Sequence, residues 1–449
     1  MFHRGDRVFR TVTEAAAAEY EFVRDTGLLA ALAEAGLALP ATPVGAEVLG
    51  PAAAGARHVL EQPKLAFISY PYEWPFEALK AAALAHLEVQ LTALDQGVTL
   101  TDASAYNMQF DGPRPVFIDC LSFRRYRDGE FWTGHRQFCE QFLNPLLLRA
   151  LVGVPHNGWY RGTQEGITAA ELDRLLPLRR KLSWRVLTHV SLQSALQRAG
   201  DKDGAEAVAR TARGRRLPRA AYRRMLERLH AWIARLRPAG RGRTQWADYA
   251  ASHNYDAQEA AAKKAFVAGF ASEVKPRLLW DLGCNTGDYA KTALEAGAAR
   301  AVGFDLDHGA LDAAFLRARA EDLAFLPLLM DAANPSPNQG WAERERRGLR
   351  ERAPADAVLA LAFVHHLAIG RNVPLAEIAT WLAELAPAGV VEFVPKSDPM
   401  VRRLLALRED IFADYGEETF VAALEKRARI VASETVTASG RRLIRFQRR

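Results

Sequence analysis

The second half of this 449-residue chain carries three aspartates, a pair of glycines and a pair of histidines at spacings that suit ligand chemistry. Asp281, Gly283, Cys284, Asn285 and Gly287 fall within Leu278-Leu279-Trp280-Asp281-Leu282-Gly283-Cys284-Asn285-Thr286-Gly287-Asp288-Tyr289. The apolar run Leu278 to Trp280 predicts a short buried strand ending on an acid. Tyr289 to Ala296 predicts the helix that follows, with Gly297 just past its end. Between strand and helix, glycine lets a ligand approach the backbone. The unpaired N–H groups of the helix start favour a carboxylate or a phosphate. The spacing is Gly-x-x-x-Gly, without the three glycines of a dinucleotide loop. Ala301 to Asp305 predicts a second strand, and its terminal acid lies 18 residues past Gly287. A carboxylate at about that distance can take both hydroxyls of an adenosine ribose. Asp307 is the alternative acid, with Leu306 between the two. Leu326 to Asp331 predicts a third strand, again ending on an acid, followed by Ala332. Asp331 has a competing role as a helix N-cap.

Ala357 to Phe363 predicts a fourth strand leading into Val364-His365-His366-Leu367. Strand ends on this side of a doubly wound sheet face the ligand crevice. A histidine there can orient or deprotonate an acceptor hydroxyl. Adjacent side chains are expected to diverge, which favours His365 over His366 as the base. No metal is predicted, since acids at ligand spacing are missing around the histidines.

The first half holds a second constellation. Val98 to Leu100 predicts a strand leading to Asp102, with Asn107 five residues on. Asp111-Gly112 predicts the turn of a hairpin whose far end reaches Asp119. The competing reading is that Asp102 and Asn107 hold a turn through Asx hydrogen bonds.

The glycine loop and the acids Asp305 and Asp331, in that order, resemble the class I S-adenosylmethionine (SAM)-dependent methyltransferases. The resemblance covers about residues 245–449. It implies a Rossmann-like seven-stranded sheet within an α/β fold and SAM as cofactor. Gly283 to Gly287 would face the methionine part and Asp305 the ribose. Asp331 and the Ala332 amide would face the adenine. Tyr249, Tyr255 and Lys263 would close over the ligand. Leu361 to Leu367 and Glu392 to Arg403 also look like nodulation-type (host-specificity) bacterial methyltransferases, which implies a sugar or lipo-oligosaccharide acceptor. Asp102, Asn107 and Asp119 resemble the catalytic and metal-binding loops of protein kinases and aminoglycoside-type phosphotransferases. That resemblance implies an α+β kinase-like domain, with ATP and magnesium at these residues. The departures are Leu100-Thr101-Asp102 for His-Arg-Asp and Asp119-Cys120-Leu121 for Asp-Phe-Gly. No glycine-rich phosphate loop precedes them.

These motifs must be positioned by more than one core, because 449 residues exceed an ordinary domain. The expected division is a kinase-like domain over 1–200, a basic helical linker over 201–244 and a methyltransferase domain over 245–449. Residues 6–13 predict a strand, and Val59 to Tyr70 one or two more. Ala15 to Leu39 predicts helix broken near Gly27 and Gly36. Glu77 to Gln96 predicts a helix with Leu84, Leu87, Leu91 and Leu94 on one apolar face. Arg210 to Arg243 contains twelve arginines and one acid, Glu227. Within it Tyr222, Met225, Leu226, Leu229, Trp232, Ile233 and Leu236 repeat at helical spacing. Such a helix docks one face and leaves the other for solvent, RNA or an acidic membrane surface; the solvated face is the favoured reading.

Composition is globular, with 49% hydrophobic and 25% charged residues. Net charge is +6. No apolar run reaches the roughly 18 residues of a membrane span. The three cysteines, Cys120, Cys139 and Cys284, form no Cys-x-x-Cys pair. That predicts a reducing cytoplasm and no zinc cluster. The function expected from the sequence is SAM-dependent methyl transfer to a hydroxyl of a sugar or small molecule. The alternatives are a bifunctional kinase-methyltransferase and a non-catalytic SAM- or RNA-binding scaffold.

Overall fold

The structure is a computed structural model, and it describes all residues except 6, 192–193, 195–215, 241–256, 353 and 407. The expected lid residues Tyr249 and Tyr255, Asp6, and the outer parts of the basic linker lie outside the described residues. The chain forms two compact units. The first comprises Met1–Leu65, Ser69–Phe110 and Arg114–Gly240; the second comprises Ala66–Ile68, Asp111–Pro113 and Arg241–Arg449. No described helix is long and apolar enough to cross a membrane.

The first unit opens with β1 (Phe2–Arg4), β2 (Arg7–Thr13), β3 (Thr42–Val44) and β4 (Ala56–Gln62). They pair antiparallel in the order β1-β2-β4-β3. Both faces of β2 are covered: Phe9 packs with Leu49, Ala53 and Val59, and Val12, on the opposite face, packs with Tyr20 and Leu60. Only one strand occupies the region read as one or two; residues 63–70 are irregular apart from the start of a turn. The helix Phe76–Asp95 follows. Its buried surface is wider than the single leucine face predicted, because Ala78, Ala81, Ala82, Ala85 and Ala93 are buried too. Small side chains let neighbours close on several sides, so the helix lies inside the unit rather than on it. β5 (Val98–Leu100) pairs antiparallel with β8 (Phe123–Arg125), and the hairpin β6 (Met108–Asp111) and β7 (Arg114–Phe117) lies between them in sequence. The basic helix, Arg219–Arg235, buries Tyr222, Leu226, Leu229, Trp232 and Ile233. The Tyr222 hydroxyl accepts from Gln90 Nε2 at 3.0 Å, and Arg223 pairs with Asp95. The helix therefore docks on Phe76–Asp95 within this unit, with Arg224, Arg228 and Arg235 exposed.

The second unit is a doubly wound sheet. Its strands are β9 (Leu279–Leu282), β10 (Ala301–Asp305), β11 (Phe325–Leu329), β12 (Ala357–Ala360), β13 (Ala388–Phe393), β14 (Ala428–Thr435) and β15 (Arg442–Arg448). The order is β11-β10-β9-β12-β13-β15-β14. The first five run parallel, and β15 is antiparallel to both β13 and β14. This seven-stranded mixed sheet, closed by an antiparallel hairpin, is the architecture the methyltransferase resemblance implies. The parallel strands are near-continuous apolar runs because helices cover both faces. The chain leaves β9 for β10 and β11 on one side, then crosses to β12 on the other. The carboxyl ends of β9, β10 and β12 therefore meet at a topological switch point, where such folds bind ligands. Two strands end earlier than expected: β11 stops at Leu329, two residues before Asp331, and β12 stops at Ala360, leaving Leu361 to Phe363 as the loop before the histidines. β9 instead runs past Trp280 and carries Asp281 within it.

Candidate functional site

The glycine turn is built by backbone conformations that other residues adopt reluctantly. Gly283 and Gly287 have φ of 74° and 79°, and Asn285 has φ of 47°. A Cβ on Gly287 would stand 2.4 Å from Phe325 Cε1, so this position also needs the absence of a side chain. The turn is hung on β10: the Gly283 and Cys284 amides both donate to the Phe304 carbonyl, at 2.8 and 3.1 Å. Arg317, on the helix His308–Ala320, pins the far side by pairing with Asp288 at 2.6 Å and donating to the Thr286 carbonyl. Cys284 is buried, and burial pushes its thiol well above its usual range, which suits packing rather than nucleophilic attack.

Asp305 ends β10 next to this turn. Its Oδ2 accepts from the Asn285 amide at 2.8 Å, and its Oδ1 from the Asp307 amide at 2.9 Å. The Leu306 amide is a third backbone donor to this carboxylate. Asp307 is placed differently: its Oδ1 caps the next helix, accepting from Gly309 and Ala310 at 2.7 and 3.0 Å. Asp305 thus lies beside the glycine turn and Asp307 at a helix start, where its Oδ2 is buried with no partner among the described residues. Leu306 between them is 51% exposed, an apolar surface beside the carboxylate. Asp331 lies beyond β11, next to Asp305 across the strand ends. It accepts from the Ala333 amide at 3.0 Å and pairs with Arg371 at 2.9 Å, with Ala332 half-buried beside it.

Asp281 is buried, and its Oδ2 has no hydrogen-bond partner among the described residues. Burial, then the Asp305 carboxylate, push it up to about 7, against the pull of Lys263. Lys263, on the helix Ala257–Val274, is itself buried and stands 2.5 Å from Glu392 Oε2. Lys263, expected to close over the ligand, is thus the buried partner of Glu392. Glu392 Oε2 also accepts from the Ala362 amide at 2.7 Å, and Glu392 Oε1 faces Arg441 at 3.8 Å. Arg441 in turn makes a two-pronged contact with Asp398 at 2.7 and 3.0 Å. A charge inside an otherwise apolar strand was the only sequence signal for this network; Arg441 and Arg317 gave none.

The histidines follow on the helix Val364–Ala368. The expectation that they diverge is overturned, because their ring centroids are 4.1 Å apart. In a tight one-and-a-half-turn helix entered from a strained loop, with Ala362 at φ 49°, the two rings fold onto each other. His365 is fully buried, and neither ring nitrogen has a hydrogen-bond partner among the described residues. Burial holds His365 well below the usual range and brings His366 down to about 4, with Arg441 adding to both effects. Both are neutral imidazoles at neutral pH.

The residues fit the SAM implied by the fold. Among the described residues, the Asp281 oxygen and both His365 ring nitrogens lack polar partners that a bound polar ligand could supply.

In the first unit the structure brings the other constellation together. The Ile118 amide donates to the Asn107 carbonyl at 2.9 Å, so the two loops are adjacent. The side chains, however, satisfy one another. Asp102 accepts from the Ser104 amide at 2.9 Å and from Asn107 Nδ2 at 3.1 Å, the Asx-type arrangement. Asp119 pairs with Arg10 at 2.9 Å and accepts from Ser122 Oγ at 2.6 Å. ATP and magnesium therefore gain no support here. Gln137 and Gln141, unremarked in the sequence, hold the loop: Gln137 Oε1 accepts from Ala103 and Gln141 Oε1 from Ala105, each at 2.8 Å.

No family model matches the chain. It is 48% identical over 448 residues to the nodulation protein NoeA of Rhizobium meliloti (strain 1021), covering 100% of this chain and 94% of that protein. The chain belongs to the NoeA family. Among solved structures, the NoeA-family chain is similar to the PH0226 protein of Pyrococcus horikoshii OT3 (14% identity, 45% of this chain and 98% of that one, TM-score 0.32). It is also similar to the N-methyltransferase NodS of Bradyrhizobium japonicum WM9 (13% identity, 43% and 98%, TM-score 0.32).

Proposed function

We propose that this NoeA-family chain is a SAM-dependent methyltransferase acting on a hydroxyl of a glycan or related small molecule. The observation that carries this is the strand-end cluster: the glycine turn hangs beside Asp305, while Asp281 and His365 hold buried polar atoms without partners. In this reading Asp305 takes the ribose hydroxyls, Asp331 and the Ala332 amide the adenine edge, and Gly283 to Gly287 the methionine part. SAM would supply the methyl electrophile. His365 or His366, neutral at working pH, orients the acceptor hydroxyl and receives its proton as the methyl–oxygen bond forms. Most of the rate would come from alignment rather than acid–base chemistry, because an imidazole with a pKa near 4 is a weak base. The glycan class of acceptor rests on the resemblance of Leu361 to Leu367 and Glu392 to Arg403 to nodulation-type methyltransferases.

The test is calorimetric titration of S-adenosylhomocysteine into wild type and Asp305→Ala. Micromolar binding that the variant loses supports the reading. Absence of binding by folded wild type sinks it. Methyl transfer from labelled SAM to oligosaccharide hydroxyls then tests the acceptor class.

A second reading adds phosphotransfer by the first unit. It is favoured by the order helix, β5, Asp102 loop, β6–β7 hairpin and Asp119. The Arg10–Asp119 pair weighs against it. Magnesium-dependent ATP turnover abolished by Asp119→Asn would establish it; no turnover with any hydroxyl acceptor would remove it.

A further inference from the structure

We propose that the first unit holds a zinc-class metal ion between His135, Cys139 and His189. Among the described residues, one ligand atom from each of these side chains lies within 4.8 Å of the others. Cys139 Sγ is 3.8 Å from His135 Nε2. Tetrahedral zinc, with sulfur at about 2.3 Å and nitrogen at about 2.0 Å, sets a sulfur–nitrogen separation of roughly 3.5 Å. Small side-chain rotations therefore bring the three donors to bonding distance.

The local structure presents the ligands without strain. His135 and Cys139 are one helical turn apart, so they lie one above the other on a single face. His189 arrives from the segment Leu187–Ser191, and its ring lies 5.5 Å from that of His135. Aromatic walls surround the donors: Trp132 meets His135 edge-on at 6.1 Å, and Trp232 lies 5.8 Å from His189. Cys139 is fully buried. Within that apolar shell His189 Nδ1 has no hydrogen-bond partner among the described residues. A buried ring nitrogen without a partner is costly unless something binds it.

The donor chemistry selects the ion. Two imidazoles and a thiolate are a set for zinc, and a poor one for magnesium or calcium, which prefer oxygen. Three protein ligands leave one tetrahedral position for solvent or a small anion. Binding converts the Cys139 thiol to thiolate and releases one proton. The absence of a zinc cluster expected from cysteine spacing does not bear on this group, because two of its three ligands are histidines, one of them 50 residues from Cys139.

The site is separate from both constellations described above, though one is mechanically connected to it. Gln137 and Gln141 leave the same helix on the opposite face and hold the Asp102 loop. A bound ion would fix the helix that carries them.

The test uses the full-length protein, loaded with one equivalent of zinc and passed through gel filtration, and separately titrated with cobalt(II). The expected result is one retained zinc per chain, and a thiolate-to-cobalt charge-transfer band. Cys139→Ser should abolish the band, while Cys120→Ser should keep it. His189→Gln, at the less buried edge of the cluster, should lose stoichiometric zinc while keeping the wild-type circular dichroism. Folded wild type that retains no zinc and gives no band overturns the proposal, as does a band that survives in folded Cys139→Ser.

Discussion

Glu392 Oε2 stands 2.5 Å from Lys263 Nζ and 2.7 Å from the Ala362 amide. One buried carboxylate thereby ties the strand β13, the helix before β9, and the loop that delivers His365. A buried pair is costly to break because the surviving charge is left unpaired. Glu392→Ala should destabilise the second unit by about 3–5 kcal/mol. The double replacement Lys263→Met with Glu392→Leu should recover most of that loss. Chemical unfolding of the three proteins, monitored by tryptophan fluorescence, would show it. Equal losses in single and double variants would mean the pair is not what holds these elements.

The Gly287 position makes a second, local prediction. Its φ of 79° and the 2.4 Å approach to Phe325 both oppose a side chain. Gly287→Ala should cost about 1–3 kcal/mol, the range for backbone strain and overpacking. Phe325→Leu in the same chain should return the packing part and leave the backbone part. A double-mutant cycle on unfolding free energies separates them; full additivity would contradict the contact.

Asp281 should make cofactor affinity depend on pH. Burial and Asp305 raise it to about 7, so the unliganded carboxyl is largely protonated below that pH. A ligand that brings a cation, such as the ammonium of SAM, favours the ionised form and expels the proton. Affinity should therefore rise as pH increases through about 7 and then level off. Asp281→Asn should weaken binding and flatten the dependence. Calorimetric titrations at pH 6, 7 and 8 in buffers of different ionisation enthalpy would measure both the affinity and the proton released.

His86 predicts acid sensitivity of the first unit. It is buried among Phe117, Trp132, Phe138 and Phe142, and burial lowers it to about 3. The unfolded chain binds a proton there below its ordinary value of about 6.5, and the folded chain does not until about 3. Stability from this residue is thus complete above pH 6.5 and falls as pH drops toward 3, at about 1.4 kcal/mol per pH unit. His86→Leu should flatten that slope. Denaturant midpoints measured between pH 7 and 4 would reveal it, and an unchanged slope would assign the acid sensitivity to other groups.

Legibility followed how far a signal extends along the chain. β10 was readable residue for residue, because Ala301 to Asp305 is a short apolar run with a terminal acid. The docked face of Arg219–Arg235 was readable from its periodicity. The strands Phe2–Arg4 and Thr42–Val44 were not, since three residues are too few to carry a period. The surroundings of Asp305 and Asp307 needed coordinates, because the two acids are alike in sequence and differ in which amides they accept from. Charge pairing was the least readable. Arg10 and Asp119 are 109 residues apart, Lys263 and Glu392 129 apart, and neither partner announces the other. Stacking of His365 on His366 depends on a strained loop that no residue type marks.

The placement of β15 sets the order in which the sheet can be completed. β14 is made before β15, yet it touches the rest of the sheet only through it. During synthesis β13 therefore waits with a bare edge of backbone donors and acceptors, while β14 has nothing to lie against. Both are satisfied at once when β15 slips between them. Until β15 covers it, β13 is an open strand edge of the kind on which another chain can pair.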